Sequence, residues 1–381
     1  MLTFAKKKEM EQLFVFGKPV EGMSFTDREQ ESARLSANFT AGINTFIISP
    51  RRWGKTSLVK KVISENKDGG RLYVFMDVFK AKTPSDFCEI LANAVFKQTS
   101  TALDELWESV KSFLERINVG LRLAPDQQSK LDLDFGLSKE TTSLEAILSL
   151  PQKIAEKKNV EIVVCIDEFQ QIALFEDSLT FQKMLRGVWQ NQKNVTYCLF
   201  GSKKHMMEGL FDEETKPFFK FGDILYLNRI PLPYWRDFIT GKFSSAGKNI
   251  SEEQIEEICR AVDYNSSYVQ QLCWYVFLFS SDTITEEDVQ KGIEELIVQN
   301  TALFESRTEV LTPVQMRFLM AVASGVHDGF STSAIISKYK LGSSASSVAT
   351  RKALLDKGLL AMESGKTFLA DPVMGLWLRQ P

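Results

Sequence analysis

The chain has 381 residues, 44% hydrophobic and 25% charged, the balance of a soluble globular protein long enough for two or three domains. Its 46 Lys and Arg against 49 Asp and Glu leave a net charge of −3, which does not advertise a nucleic-acid or membrane partner. No apolar run approaches the roughly 20 residues that span a bilayer, and two histidines, His205 and His327, argue against a His-rich metal site or a His-based triad.

The opening MLTFAKKKEMEQLF has lysines but no apolar core or small-residue cleavage site behind them, so it does not read as a secretory signal. Residues 1–24 read as a strap, with Phe14, Val15 and Phe16 able to pack. Cys88, Cys165, Cys198, Cys259 and Cys273 form no CxxC pair and read as reduced core residues of a cytosolic protein. Phe25-Thr26-Asp27-Arg28-Glu29-Gln30-Glu31 leads into a helix to about residue 40, its early acids suiting the helix dipole.

Thr45–Ile63 (TFIISPRRWGKTSLVKKVI) carries the first chemistry. Phe46, Ile47 and Ile48 form an apolar run, and Leu58, Val59, Val62 and Ile63 recur at helical spacing. Between them lies the pattern of a phosphate loop, strand–GxxxxGK[ST]–helix, with Ser49 in place of the first glycine. Successive N–H groups at a helix start offer partial positive charge to a polyphosphate. Ser49, Pro50, Arg51, Arg52, Trp53, Gly54, Lys55, Thr56 and Ser57 are thus the candidate nucleotide-binding stretch. Lys55 adds a point charge, and the Thr56 hydroxyl is a ligand for Mg²⁺.

Leu72–Met76 reads as a buried strand of a parallel sheet, ending in Asp77. Thr83-Pro84 opens a helix to about residue 98, and residues 103–116 form another. Alternation at Ile117, Val119, Leu121 and Leu123, then at Leu131, Leu133, Phe135 and Leu137, predicts a β-hairpin insertion over about 117–138. A loop with chance alternation is the other reading. Thr142 with Glu145 makes a capping box for a helix to about residue 157.

Glu161–Gln171 (EIVVCIDEFQQ) is the second landmark, an apolar strand running into Asp167-Glu168 in the Walker B pattern. Asp167 then holds Mg²⁺, and Glu168 orients and polarises the attacking water. Val195–Phe200 is another buried strand, followed by Gly201-Ser202-Lys203. Ligand groups gather at the carboxyl ends of parallel strands. Ser202 therefore reads equally as a sensor of the terminal phosphate or as part of a Gly-Ser turn. Ile224–Leu227 is a fifth strand, and Arg229 beyond it reads equally as a phosphate contact or as the partner of a surface acid.

After residue 234 helices take over, with Ser251/Gln254 and Thr285/Asp288 as start signals and a break near residue 305. Helices over Leu311–Ala323, Ser331–Lys340 and Ser344–Lys357, with short strands at Leu359–Met362 and Thr367–Ala370, make a winged helix-turn-helix. Residues 303–381 hold nine Lys and Arg against six Asp and Glu, a modest bias of +3. Arg351 and Lys352 lie on the recognition helix and Lys366 on the wing. Such domains serve DNA and protein partners alike.

FTDREQE, SPRRWGKTSL, VVCIDEFQ, LFGSKKHMM and DPVMGLWL together resemble the archaeal- and Bacteroidetes-type AAA+/STAND P-loop ATPases, whose members carry a helical lid and a C-terminal winged helix. The resemblance spans nearly the whole chain. It implies an α/β core with a five-stranded parallel sheet and the phosphate-loop strand central. It also implies that Arg28 borders the adenine, that Gly54, Lys55 and Thr56 grip phosphates and Mg²⁺, that Asp167 and Glu168 act as Walker B, and that Ser202 is the sensor. In the lid, Asn265-Ser266-Ser267 stands where signalling members often show G-x-P.

The expected organisation is a P-loop NTPase (AAA+-like) core over 1–230, a helical lid over 231–302 and a winged helix over 303–381, in a cytoplasmic protein. The expected function is a switch that binds and hydrolyses ATP between core and lid, its nucleotide state repositioning the lid and winged helix. Lys55 and Glu168 carry catalysis, Thr56 and Asp167 hold the metal, and Arg229 joins the nucleotide contacts. Expected partners are ATP and ADP, double-stranded DNA through Arg351, Lys352 and Lys366, and a protein or second copy. The alternative is a DNA-binding regulator or scaffold in which nucleotide is regulatory or structural only.

Overall fold

Five parallel strands organise residues 45–226. The computed structural model describes residues 13–20, 22–66, 70–99, 120–123, 133–136, 141–211 and 214–380. They divide into two units, one of residues 28–51 and 55–228, the other of the described residues up to 27 with 52–54 and 229 onward.

In the first unit, α1 (Glu29–Thr40) precedes β1 (Thr45–Ile48), and α2 (Lys55–Glu65) follows the phosphate loop. Then come β2 (Arg71–Asp77), α3 (Pro84–Thr99), β3 (Gly120–Leu123), β4 (Leu133–Gly136), α4 (Thr141–Leu148) and α5 (Leu150–Lys158). After β5 (Glu161–Asp167) and a 3-10 turn (Phe169–Leu174) follow α6 (Ser178–Trp189), β6 (Val195–Gly201), α7 (Lys204–Phe211) and β7 (Asp223–Tyr226). The sheet order is β2-β5-β6-β1-β7, and every pairing in it is parallel. Helices cover both faces of such a sheet, which is why TFII and VTYCLFG are apolar runs buried at every position. The phosphate-loop strand β1 is interior, between β6 and β7, but the middle strand is β6; the expectation of a central β1 is corrected to that extent.

Register fixes what meets at the carboxyl edge. Ile48 lies beside Gly201, and Asp77 beside Asp167. The phosphate loop, Asp167-Glu168 and Ser202 therefore leave the sheet at one edge. Below them the core is aromatic: Trp189 stacks on Tyr197 at 4.0 Å and Phe46 on Phe211 at 3.8 Å. The ring of Phe169 is fully buried beside Phe218, at 5.5 Å, and anchors the turn after Glu168. Burying a Phe contributes about 1.5–3 kcal/mol.

The hairpin is present, with Gly120–Leu123 antiparallel to Leu133–Gly136. The expected helix over 103–116 and the Thr142 side chain lie outside the described residues.

The second unit is helical, with a small wing. It comprises α8 (Leu232–Ser245), α9 (Glu252–Ala261), α10 (Ser266–Phe279), α11 (Glu286–Glu309), α12 (Pro313–Ala323), α13 (Ser333–Tyr339), α14 (Ser344–Asp356), the antiparallel pair β8 (Leu360–Glu363) and β9 (Lys366–Leu369), and α15 (Pro372–Leu378). Both expected start signals form complete capping boxes, Ser251 with Gln254 and Thr285 with Asp288. Thr312 with Gln315 makes a third, before α12. Helix α11 runs unbroken past residue 305, where the sequence suggested a break. One apolar core extends from Leu13 and Phe14 through α8–α11 to Leu354, Leu360 and Met374, so these helices and the winged helix share an interior. The strap is tied in where the Val15 N–H donates to Gln270 Oε1 at 2.8 Å. All five cysteines are buried and free. Among the described residues, no helix is long and apolar enough to cross a membrane.

Candidate functional site

At the carboxyl edge of the sheet, β1 ends and the loop Ser49–Gly54 turns into α2. Ser49, in the place of a glycine, needs no left-handed backbone; the positive φ angles fall later, at Arg52 (67°) and Gly54 (88°). A Cβ at Gly54 would meet nothing within 4 Å, so the glycine serves its backbone conformation rather than crowding. The buried Lys55 ammonium donates to the Ser49 carbonyl (3.0 Å), the Ser49 hydroxyl (3.2 Å) and the Pro50 carbonyl (2.8 Å). Burial pushes this ammonium down to about 8, although the charges of Asp167 and Glu168 pull it back up.

At the next residue, the Thr56 hydroxyl donates to Asp167 Oδ2 at 2.7 Å. Burial pushes the Asp167 carboxyl up to about 6, against hydrogen bonds from Thr56 and the Glu168 N–H that favour its charged form. Glu168 has a left-handed backbone, φ 54°, which swings its side chain out of the strand direction. Its Oε2 accepts from Ser202 Oγ at 2.9 Å and from Gln170 Nε2. Ser202 in turn accepts from Arg51 Nε at 3.2 Å. A buried ammonium, a hydroxyl and two carboxylates thus converge where N–H groups open α2, the donor set that a polyphosphate and a hard divalent cation require.

The sequence agrees with this geometry. Residues 25–272 match an ATPase domain family predominantly from Archaea, and residues 302–380 match a probable winged helix domain. The chain belongs to that archaeal-type ATPase family. A search of curated proteins gave no match. Among solved structures, the chain is similar to the Walker-type ATPase of Pyrococcus abyssi, with TM-score 0.68 and 16% identity, covering 97% of this chain and 100% of that one. It is also similar to the Aeropyrum pernix ORC2 protein in ADPNP–ADP complexes (TM-score 0.57, 13% identity, 98% and 96% covered). A third is the ORC1 protein of the same organism in complex with DNA (TM-score 0.51, 13% identity, 93% and 92% covered). At these identities the likeness is one of fold.

In this ATPase, Ser49, Pro50, Arg51, Lys55, Thr56, Asp167, Glu168 and Ser202 come together, and the buried Ser57 lies on the same helical turn as Lys55. The Ser202 hydroxyl is bonded to Glu168 rather than idle in a turn. Arg28 is buried and spends its guanidinium on Glu31 (2.8 Å) and the Asn228 carbonyl (2.6 Å).

Arg52, Trp53 and Gly54 group with the second unit of the ATPase. There the Arg52 carbonyl accepts the Ser267 N–H at 3.2 Å, and its guanidinium lies 4.7 Å over the Tyr268 ring. Arg229 lies 5.3 Å over the Trp53 ring and bridges Asp263 to Glu363 on the wing, the latter at 3.1 Å. Arg229 thus pairs with two acids of its own unit. The Tyr268 hydroxyl donates to Asp371 at 2.7 Å, and Asp371 caps α15.

Sequence reasoning missed Gln170, although it stands in the IDEFQ stretch two residues after Glu168. It also missed Asp263, Tyr268, Glu363 and Asp371, whose distance from the loop in sequence leaves no local mark.

Proposed function

We propose that this ATPase is a nucleotide-operated switch in which Lys55, Thr56, Asp167 and Glu168 carry the reaction. The observation that supports it is the 2.7 Å hydrogen bond between Thr56 and Asp167, beside a buried ammonium and a positioned glutamate. Lys55 exchanges its bonds to Ser49 and Pro50 for phosphate oxygens, whose negative charge relieves the burial penalty on the ammonium. Thr56 and Asp167 offer a hydroxyl and a carboxylate oxygen, the ligands that suit Mg²⁺. When bound, that ion neutralises charge developing on the transferred phosphoryl group. Glu168 orients the attacking water and takes its proton, while Ser202 holds the glutamate in place. Arg28 is assigned to the border of the adenine.

The switch is supported by the loop tip. Arg52 and Trp53 belong to the phosphate loop yet contact Ser267, Tyr268 and Arg229. A phosphate that reshapes the loop would pull on α10 and, through Arg229 and Glu363, on the wing. The test is ATP turnover by Glu168→Gln beside ATP binding by Lys55→Ala. Binding retained with turnover lost in the first, and binding lost in the second, support the reading; wild-type turnover in the first removes Glu168 from the mechanism.

A second reading gives the winged helix a DNA partner. It rests on Lys352 and Lys366, exposed on α14 and β9, with Arg351 half-buried beside them. A structural neighbour, the Aeropyrum pernix ORC1 protein, was solved in complex with DNA.

A further inference from the structure

We propose that Gln170 is a positioning residue for hydrolysis, and that Gly201 lacks a side chain in order to seat it. This inference rests on Glu168 being the residue that acts on water. Gln170 is 1% exposed, and its Nε2 donates to Glu168 Oε2, the same oxygen that Ser202 reaches at 2.9 Å. Two donors on one oxygen fix the carboxylate plane, and neither engages Oε1. That oxygen is left for the water.

The other half of the amide makes no sense as packing. Gln170 Oε1 is buried with no hydrogen-bond partner, a condition that costs about 1–3 kcal/mol. An apolar side chain of similar size would make a better core. The amide is explained by what its Nε2 does for Glu168. Gly201 points the same way. Its φ is not positive, so no backbone requirement selects glycine there. A Cβ at 201 would lie 1.7 Å from Gln170 Oε1 and 2.9 Å from its Cδ, an overlap that evicts the amide. Strand β6 thus gives up a side chain immediately before Ser202, and the space is filled by the group that holds the same Glu168 oxygen as Ser202. The buried Phe169 ring between Glu168 and Gln170 pins the turn that makes this possible.

The test compares Gln170→Leu, Gly201→Ala and the double variant Gln170→Ala/Gly201→Ala with Gln170→Ala, in the full chain, for kcat, KM, nucleotide Kd and Tm. Gln170→Leu is expected to keep Tm, Kd and KM near wild type while kcat falls on the order of ten- to a hundredfold, the scale of a misplaced catalytic group. Gly201→Ala is expected to lose kcat alike. Adding it to Gln170→Ala is expected to cost little further, because the overlap with the amide is gone and only the flexible Met207 thioether, 3.0 Å from that Cβ, must shift. Wild-type kcat in Gln170→Leu, with Glu168→Gln inactive, overturns this inference alone. Loss of Tm and Kd together with kcat assigns Gln170 to structure and overturns it as well. Wild-type turnover in Glu168→Gln overturns the reading of Glu168 and this inference with it.

Discussion

The Thr56 hydroxyl donates to Asp167 Oδ2 across 2.7 Å, joining the first turn of α2 to the end of β5, 111 residues later in the chain. Parallel pairing makes this possible, because β1 and β5 both flank β6 and leave the sheet at the same edge. The contact brings a hydroxyl and a carboxylate to the place where Lys55 is buried.

The carboxylate of Asp167 is a burden on the fold, which the proposed metal-holding role would explain. Its folded value of about 6 stands above the ordinary 3.8, so ionising it in place destabilises the native state above pH about 6. By ~1.4 kcal/mol per pH unit the cost at neutral pH is about 3 kcal/mol, and it vanishes below pH about 4. Asp167→Asn keeps an acceptor for the Glu168 N–H and turns its amide N–H to the Thr56 hydroxyl, which can accept it. It is expected to raise the Tm of the nucleotide-free protein by a few degrees at pH 7.5, with the gain shrinking toward pH 4, and to abolish the Mg²⁺-dependent part of ATP binding. Melts with and without Mg²⁺-ATP check both halves; a lower Tm for the variant would contradict the assignment.

Nucleotide binding is expected to have a pH window. Below about 6, Asp167 takes a proton and loses its value as a metal ligand; above about 8, the Lys55 ammonium loses its charge. Affinity for Mg²⁺-ATP should fall by up to about tenfold per pH unit on either side. Stability has the opposite alkaline trend. Between about 8 and 10.5 the unfolded chain keeps the Lys55 proton that the folded chain has released, so Lys55 contributes stability that increases with pH. Calorimetric titration and melts across this range distinguish the two.

Arg229 bridges Asp263 and Glu363 over Trp53, and each ion pair is partly exposed, so each should contribute no more than about 1 kcal/mol. Arg229→Ala is expected to leave Tm almost unchanged while removing the ATP-dependent change in protease sensitivity of the second unit. Limited proteolysis with and without ATP reads this out. An unchanged ATP-dependent pattern in the variant would exclude Arg229 as the connection.

Much of this was legible in the sequence because the signals are local. An apolar run ending in Asp167-Glu168, a GKT at a helix start, and Ser/Gln or Thr/Asp pairs three residues apart all specify their structure within one turn. The roles of Gln170, Asp263, Tyr268 and Glu363 were not legible. Gln170 lies near Glu168 in sequence, but only the missing side chain at Gly201, 31 residues away, gives its amide a seat. Glu363 is 134 residues from Arg229, and no spacing rule joins a wing to the residue before a proline-flanked helix. Helix α11 continues past the expected break near 305 to Glu309, with Phe304 packed in the shared core.

If the winged helix reads DNA, neutralising Arg351 and Lys352 together should lower the slope of log affinity against log salt by roughly two. Fluorescence anisotropy with duplex DNA at several salt concentrations measures it. Binding that ignores salt, or no binding, sends the search to protein partners.

The central claim is that Lys55, Thr56, Asp167 and Glu168 form one hydrolytic site, and steady-state ATP turnover by Glu168→Gln, with ATP binding measured on the same sample, tests it most directly. The expected result is binding close to wild type with turnover reduced on the order of a hundredfold or more. Turnover at the wild-type rate in this variant would contradict the account.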